Sequence, residues 1–443
     1  MSLDKLKNKE IYLAITLASL IKVIFFIYFL NIDLFPLAGD QYKYWQLSDK
    51  IFFQEIFFNE KFGTMRTPLY PTFLALIKLF SNNIYSIIFI QLLLSFMNLF
   101  LIYKIGILFS KNIAKISILI ASINLNLING SVFILTEAIF LPLFLSFIYF
   151  FLKNLHEDKK ENLFTSICLS AIFLALATLV RPFAYYFFVL IIFIFIKKNF
   201  ILNFKKFFIF IFLFSIILSP WCLRNLHLFG YYKLTNSTGP NLTGYYLPYL
   251  ESNNSKKIIS EVRKQNYISL KNKIDYSKNP FLINEKEIQF FKNKIEDYSL
   301  LTFIETWIEG NIKFLFSPSI VDTFYLLDVK KTNFSSINKS SFIEKSFIYI
   351  FKNDNKIFSY FLILSIIFIF ISRFLAFMTI FIFNKKNLFK IFIFYLIIII
   401  NLLLTGPIGT ARYRIVVEPL LIIMFSVSIY YLYEKYKSFK NEK

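Results

Sequence analysis

Ten apolar runs decide what this chain can be. They lie near residues 11–31, 84–109, 113–132, 138–152, 163–180, 183–196, 207–222, 357–383, 388–405 and 415–433. A helix that crosses a bilayer needs about 20 apolar residues. Several of the runs hold only 14 to 16 and need flanking residues to span. Of the 443 residues, 57% are apolar and only 17% are charged. Soluble domains carry about 25% charge, and one soluble core stops growing near ~250–300 residues. Disorder, collagen and coiled coil fail on the same composition. The expectation is an all-α polytopic integral membrane protein with about 10 (9–12) transmembrane helices.

Charge orients those helices. The formal net charge is +22, and 42 of the 49 basic residues are lysines. In a soluble protein that balance would suggest nucleic acid. Here the lysines cluster in short connectors: 5/7/9, 104/111/115, 153/159/160, 197/198/205/206, 385/386/390 and 435/437/440/443. Ten spans place every cluster on one side, which the positive-inside rule makes the cytoplasm. Both termini are then inside. The run Pro68 to Phe80 has two prolines and Lys78, and counting it as a span would scatter lysines to both sides. It reads as an interfacial or re-entrant helix. Cys168 and Cys222 sit in apolar runs and form no disulfide framework. The use of Lys, Phe, Ile and Asn suggests an AT-rich bacterial genome.

The opposite face gathers a different set. It holds the 32–83 loop with Asp40 and Arg66, then Glu137, Arg181, Arg224, Arg412 and Arg414. The chain divides into an N-terminal transmembrane module (1–222), an outer loop region (223–355) and C-terminal transmembrane helices with a basic tail (356–443). Within the outer region, 256–275 and 284–315 read as amphipathic helices.

Each outer residue has a chemical reading and a plainer one. Asp40, Tyr44, Leu47 and Ile51 share helical spacing, so an interfacial helix can present Asp40 at its start. There a carboxylate acts as a general base toward a hydroxyl, or simply caps the helix. Glu137 opens a helix at membrane depth, where ionisable groups usually have a function; capping is the alternative. Arg181 interrupts an apolar stretch and can hold a carboxylate or phosphate as a planar fork, or reach to headgroups. Arg224 follows Pro220 and Trp221, where a tryptophan can be only an interfacial anchor. Arg412 and Arg414 precede the last span, and lipid-headgroup binding is their simpler role. Lys22 and Arg373 lie within spans without an evident reason. One face thus offers carboxylates and arginines suited to a base and to a phosphate delivered from the bilayer.

The order of these pieces resembles the GT-C membrane glycosyltransferases, among them bacterial relatives of protein O-mannosyltransferases and of the lipid A aminoarabinose transferase. The matching segments are GDQYKYWQLSDKI, RTPLYPTFLALIKLF, LTEAIFLPLFL, LVRP, SPWCLRNLHLFG, STGPNLTGYYLP and ARYRIVVEPLL. The resemblance implies a GT-C-like bundle with interfacial helices in the first outer loop and a mostly helical outer domain. It implies Asp40 as catalytic base, with Gln41 where many members carry a second acid. It implies donor phosphate and sugar binding by Arg66, Glu137, Arg181, Arg224, Arg412 and Arg414. The implied reaction moves a sugar, with inversion, from a polyprenyl-phosphate donor to an acceptor hydroxyl on a lipid, glycan or protein. The expected place is the outer face of a bacterial inner membrane. The resemblance leaves room for a divalent cation, though no ligand spacing points to one, and it implies no nucleic acid. The alternatives are an O-antigen polymerase or ligase, which would favour arginines in the large loop, and a lipid or oligosaccharide transporter, which would favour inverted repeats.

Overall fold

The computed structural model describes residues 9–30, 39–52, 63–156, 160–196, 200–327, 332, 334, 337, 342–382 and 385–441. Part of the first outer loop, and Lys5, Lys7, Lys159, Lys197, Lys198 and Lys443 of the basic clusters, lie outside the described residues. Within them the chain is helical, with no strand. Six helices are long and apolar enough to cross a membrane: Ile11–Tyr28, Ile84–Ile107, Glu137–Leu155, Ile201–Phe229, Lys356–Ile382 and Asn387–Thr405. A bent pair, Lys111–Ser122 and Leu125–Val132, makes up to seven if counted as one span. Among the described residues, length and composition thus give six to seven spans, and the expected count of about 10 (9–12) is not confirmed. Phe164–Val180 and Pro182–Phe195 are apolar but short, and the last run forms Glu418–Asn441, whose C-terminal half is charged and exposed.

Local chemistry sets the breaks. Asn124 accepts a hydrogen bond from the Leu127 N–H and restarts the helix there, so the pair bends by 56°. Pro182 cannot continue the helix Lys160–Val180, and the chain rewinds as a tighter 3₁₀ segment, Pro182–Ile196. The run after Pro68 becomes a short helix, Leu69–Lys78, in line with a non-spanning reading.

The helix Glu137–His156, here α1, is the most buried of the six long apolar helices. Phe140, Phe144, Phe147 and Phe151 recur every three or four residues and form one ring ladder. Phe187 of the 3₁₀ segment packs on Phe144 at 4.8 Å. This ladder fixes α1 and so fixes Glu137 at its first position. Close backbone contact fixes the other side of the site. Gly310 and Gly409 meet with no room for a Cβ on either, which seats the helix Leu300–Phe316 against the loop leading to Arg412.

Candidate active site

Asp40 opens the helix Asp40–Phe52, here α2. Its Oδ1 accepts from Arg66 Nη2 at 2.7 Å, and its Oδ2 stands 3.6 Å from Arg412 Nη1. Its side chain remains 41% exposed, so it is reachable. Arg66 lies over the Tyr44 ring, its Cζ 4.9 Å from the centroid. Tyr44 meets Tyr70 edge-on, and Tyr70 donates to Gln91 at 2.8 Å. Gln91 in turn donates to the Phe133 carbonyl. A chain of buried contacts therefore ties the Asp40–Arg66 pair to the segment just before Glu137.

Glu137 is sealed at the base of this site. Its Oε1 receives Arg412 Nε at 2.9 Å and faces Arg181 Nη1 at 3.0 Å. Thr136 donates to Oε2. The Arg181 Nη1 contact has the distance of an ion pair but not the angle of a hydrogen bond, so that buried N–H has no acceptor. Arg181 lies over the Phe140 and Phe183 rings, at 5.6 Å and 5.1 Å. Burial works against the charge on Arg412, but Glu137, with smaller help from Tyr413 and Asp40, holds it above the ordinary arginine value. Three arginines and two carboxylates meet here, leaving one excess positive charge in a partly buried pocket.

The remaining expected residues sit elsewhere. Arg224 is buried, donates to the Gly63 carbonyl at 3.1 Å and to Asn225, and stacks on Trp221 at 4.7 Å. Gly63 has φ +78°, a conformation that favours glycine. Arg224 thus supports the strap that carries Arg66. Arg414 is turned away from Asp40. Its Nε donates to Glu418 at 2.7 Å, and its Nη1 to the carbonyls of Phe314, Leu315 and Ser317. Its side chain is 1% exposed. Gln41 does not join Asp40 either, because its Oε1 accepts from the Ile134 N–H at 2.9 Å. Among the described residues no three His, Cys, Asp or Glu side chains gather as a metal site. Asp40 is the reachable carboxylate oxygen donor at this centre.

Three features were not assigned from sequence. Arg373, unexplained within its span, pairs with Glu418 at 2.6 Å. Asp49 pairs with Lys78, which lies over the Trp45 ring. Lys22 is buried over the Phe96 ring. Opposite charges at membrane depth on separate spans are the signal that could have found the first pair.

Part of the sequence and the fold are similar to known proteins. Residues 65–223 match the family model described as dolichyl-phosphate-mannose-protein mannosyltransferase. That match covers about a third of the chain, so it shows what this region is similar to. This matched region holds Arg66, Glu137 and Arg181. The Archaeoglobus fulgidus oligosaccharyltransferase in its apo form superposes with a TM-score of 0.51 at 12% identity, over 98% of this chain and 52% of that one. The chain therefore spans about half the length of that protein. ArnT from Cupriavidus metallidurans gives TM-scores of 0.40 for the apo state and 0.41 for the state bound to undecaprenyl phosphate. Both share 12% identity and cover 94% and 95% of this chain, and 76% and 77% of theirs. No curated protein matches the sequence.

Proposed function

We propose that this chain is a GT-C glycosyltransferase that transfers a sugar from a polyprenyl-phosphate donor to an acceptor hydroxyl, with Asp40 as base. The observation that carries the reading is the meeting of a reachable carboxylate, Asp40, with Arg66, Arg412 and, through Glu137, Arg181. The matched family's description names a polyprenyl-phosphate sugar donor, which agrees with an anion arriving from the bilayer.

The steps follow from the charges. The acceptor hydroxyl sits against Asp40, and its oxygen attacks the anomeric carbon. The bond from that carbon to the phosphate oxygen breaks on the opposite side, so configuration inverts. The hydroxyl proton passes to Asp40. The departing phosphate carries its electron pair to the Arg412 and Arg181 side, where fixed cations stabilise it without reorganisation. Glu137 holds those two guanidiniums in place, and Arg66 orients Asp40. Reconstituted protein given undecaprenyl-phosphate hexoses should release undecaprenyl phosphate and glycosylated acceptor together. Failure to release it with any sugar and acceptor would end this reading.

The active face is the outer one, with 1–222 and 356–443 as the two transmembrane parts, both termini inside, and 223–355 outside. The lysine distribution supports this. Cysteines placed at Ser252 and Ser438 should label from opposite sides, and labelling from the same side would refute it.

A further inference from the structure

The helix Leu300–Phe316 leaves one apolar stripe open. Leu300, Leu301, Ile304, Ile308 and Ile312 are 44–75% exposed. At 3.6 residues per turn they fall within an arc of about 120°. The arcs on either side have their own partners. On one, Trp307 meets the Tyr246 ring at 5.3 Å, Gly310 lies against Gly409, and Phe314 is fully buried. On the other, Glu309 pairs with Lys313 and accepts from Asn253 Nδ2 at 3.0 Å. Exposed apolar surface of this extent marks a protein or membrane contact.

Contacts with two spans fix how the stripe lies. Trp307 stands against Gly406, just beyond the span Asn387–Thr405. Nine residues on, Phe316 meets Phe370 at 6.0 Å. Phe370 is 14 residues from Lys356 and 12 from Ile382, near the middle of a helix able to cross the membrane. Nine residues at 1.5 Å each reach about 14 Å, close to half the ~30 Å apolar thickness of a bilayer. The chain then turns at Ser317, Pro318 and Ser319 and climbs as the helix Ile320–Leu326. Phe324 meets Phe358 at 5.0 Å, 12 residues back toward the start of the same span.

The tip of this turn suits a place without water. Non-helical backbone at membrane depth is tolerated where protein satisfies its polar groups. Arg414 Nη1 donates to the carbonyls of Phe314, Leu315 and Ser317, and Asn129 Nδ2 donates to that of Ser319 at 2.9 Å. At Phe316 the stripe also joins the lipid-facing side of the neighbouring span, where Ile367, Phe368, Phe370, Ile371 and Phe374 are 49–62% exposed.

We propose that residues 300–326 form a re-entrant hairpin and that the aliphatic stripe of Leu300–Phe316 faces lipid acyl chains, in the leaflet on the side of the reaction centre. This hairpin is the part of the region 223–355 that enters the membrane. Gly409 lies three residues before Arg412, so one helix separates that leaflet from the loop carrying Arg412.

The test uses full-length protein in nanodiscs of phosphatidylethanolamine and phosphatidylglycerol. Cys168 and Cys222 are replaced by Ala, and I304C, I308C, I312C and K264C each carry a fluorophore. Lys264 is exposed on the helix Ile259–Lys273 and serves as the water-facing control. Lipids with a nitroxide on the acyl chain should quench the three stripe positions severalfold more than the control. With the nitroxide near the chain middle, quenching should grow from I304C to I312C. In the unlabelled wild type, lipids with a photoreactive acyl chain should cross-link within 301–312, which keeps the test open if the cysteine variants misfold. Stripe quenching no greater than that of K264C would overturn the proposal, as would wild-type cross-links that spare 301–312. A stripe shielded from both the lipid nitroxide and an aqueous quencher would mean that another protein covers it, and that too would overturn the proposal.

Discussion

Replacing Asp40 with Asn separates chemistry from folding. The amide keeps the shape and can still accept from Arg66, but it cannot take the hydroxyl proton. Positioned bases contribute about 10²–10⁴-fold, which is about 3–5 kcal/mol of barrier at 1.36 kcal/mol per tenfold. The cost to stability should be far smaller. Asp40 is 41% exposed and Arg66 16%, and ion pairs open to water are worth about 0–1 kcal/mol. The variant should melt near the wild-type temperature while undecaprenyl phosphate release falls at least a hundredfold at saturating donor. Asp49 gives the opposite pattern. It pairs at 2.6 Å with Lys78, whose side chain is 1% exposed, so Asp49→Asn strands a buried ammonium. That variant should lose melting temperature and keep turnover per folded molecule. Near wild-type turnover in Asp40→Asn would refute the base assignment, and a dead but normally folded Asp49→Asn would transfer suspicion to Asp49.

The other expectations concern the arginines and one buried acid. Arg181→Lys and Arg412→Lys should each raise donor KM by about tenfold, because an ammonium cannot reproduce a planar fork; unchanged donor KM in both would remove the phosphate role. Arg414→Lys should leave donor KM alone and lower stability, as should Glu418→Gln, where losing one partner of a sealed pair costs about 3–5 kcal/mol; thermal melting of the detergent-solubilised protein checks this. Glu287 lies buried in the outer region and accepts from Tyr276 at 3.1 Å, and burial raises its carboxyl above the usual range. An acid with a raised folded pKa holds its proton longer when folded, so stability is full below the ordinary carboxylate value and falls as pH rises through the folded one. Glu287→Gln should therefore raise the melting temperature at neutral pH and flatten its decline between mildly acidic and neutral pH, and a lower neutral-pH melt would contradict this.

Much of the site was legible because charged side chains in so apolar a chain have few partners to choose from. Asp40, Arg66, Glu137, Arg181 and Arg412 were each expected on one face, and the structure brings all five together. What hydropathy could not say was which way a side chain turns. Arg412 and Arg414 are two residues apart, about 200° around a helix, so one reaches Glu137 and the other Glu418. The i,i+4 spacing of Arg414 and Glu418 was a readable sign of that pair. The count of spans stands at six to seven among the described residues, because Pro182 divides one apolar stretch into the helix Lys160–Val180 and the segment Pro182–Ile196.

The chain builds two Arg–carboxylate clusters, and they differ in what can reach them. Arg373, Arg414 and Glu418 leave one excess positive charge, as do Arg66, Arg181 and Arg412 with Asp40 and Glu137. Each cluster also has a buried arginine nitrogen without an acceptor, Nε of Arg373 and Nη1 of Arg181. Charge and orphan donors therefore do not separate them. Access does. The side chains of Arg373, Arg414 and Glu418 are 1–3% exposed, and Arg414 spends its Nη1 on three backbone carbonyls. No ligand reaches them, and their charges hold the last helix against its neighbours. In the other cluster Asp40 is 41% and Arg412 32% exposed, and Arg66 lines a cavity of about 550 Å³. An anion can enter there, meet the excess positive charge and leave again, which a turnover cycle requires and a structural clamp does not.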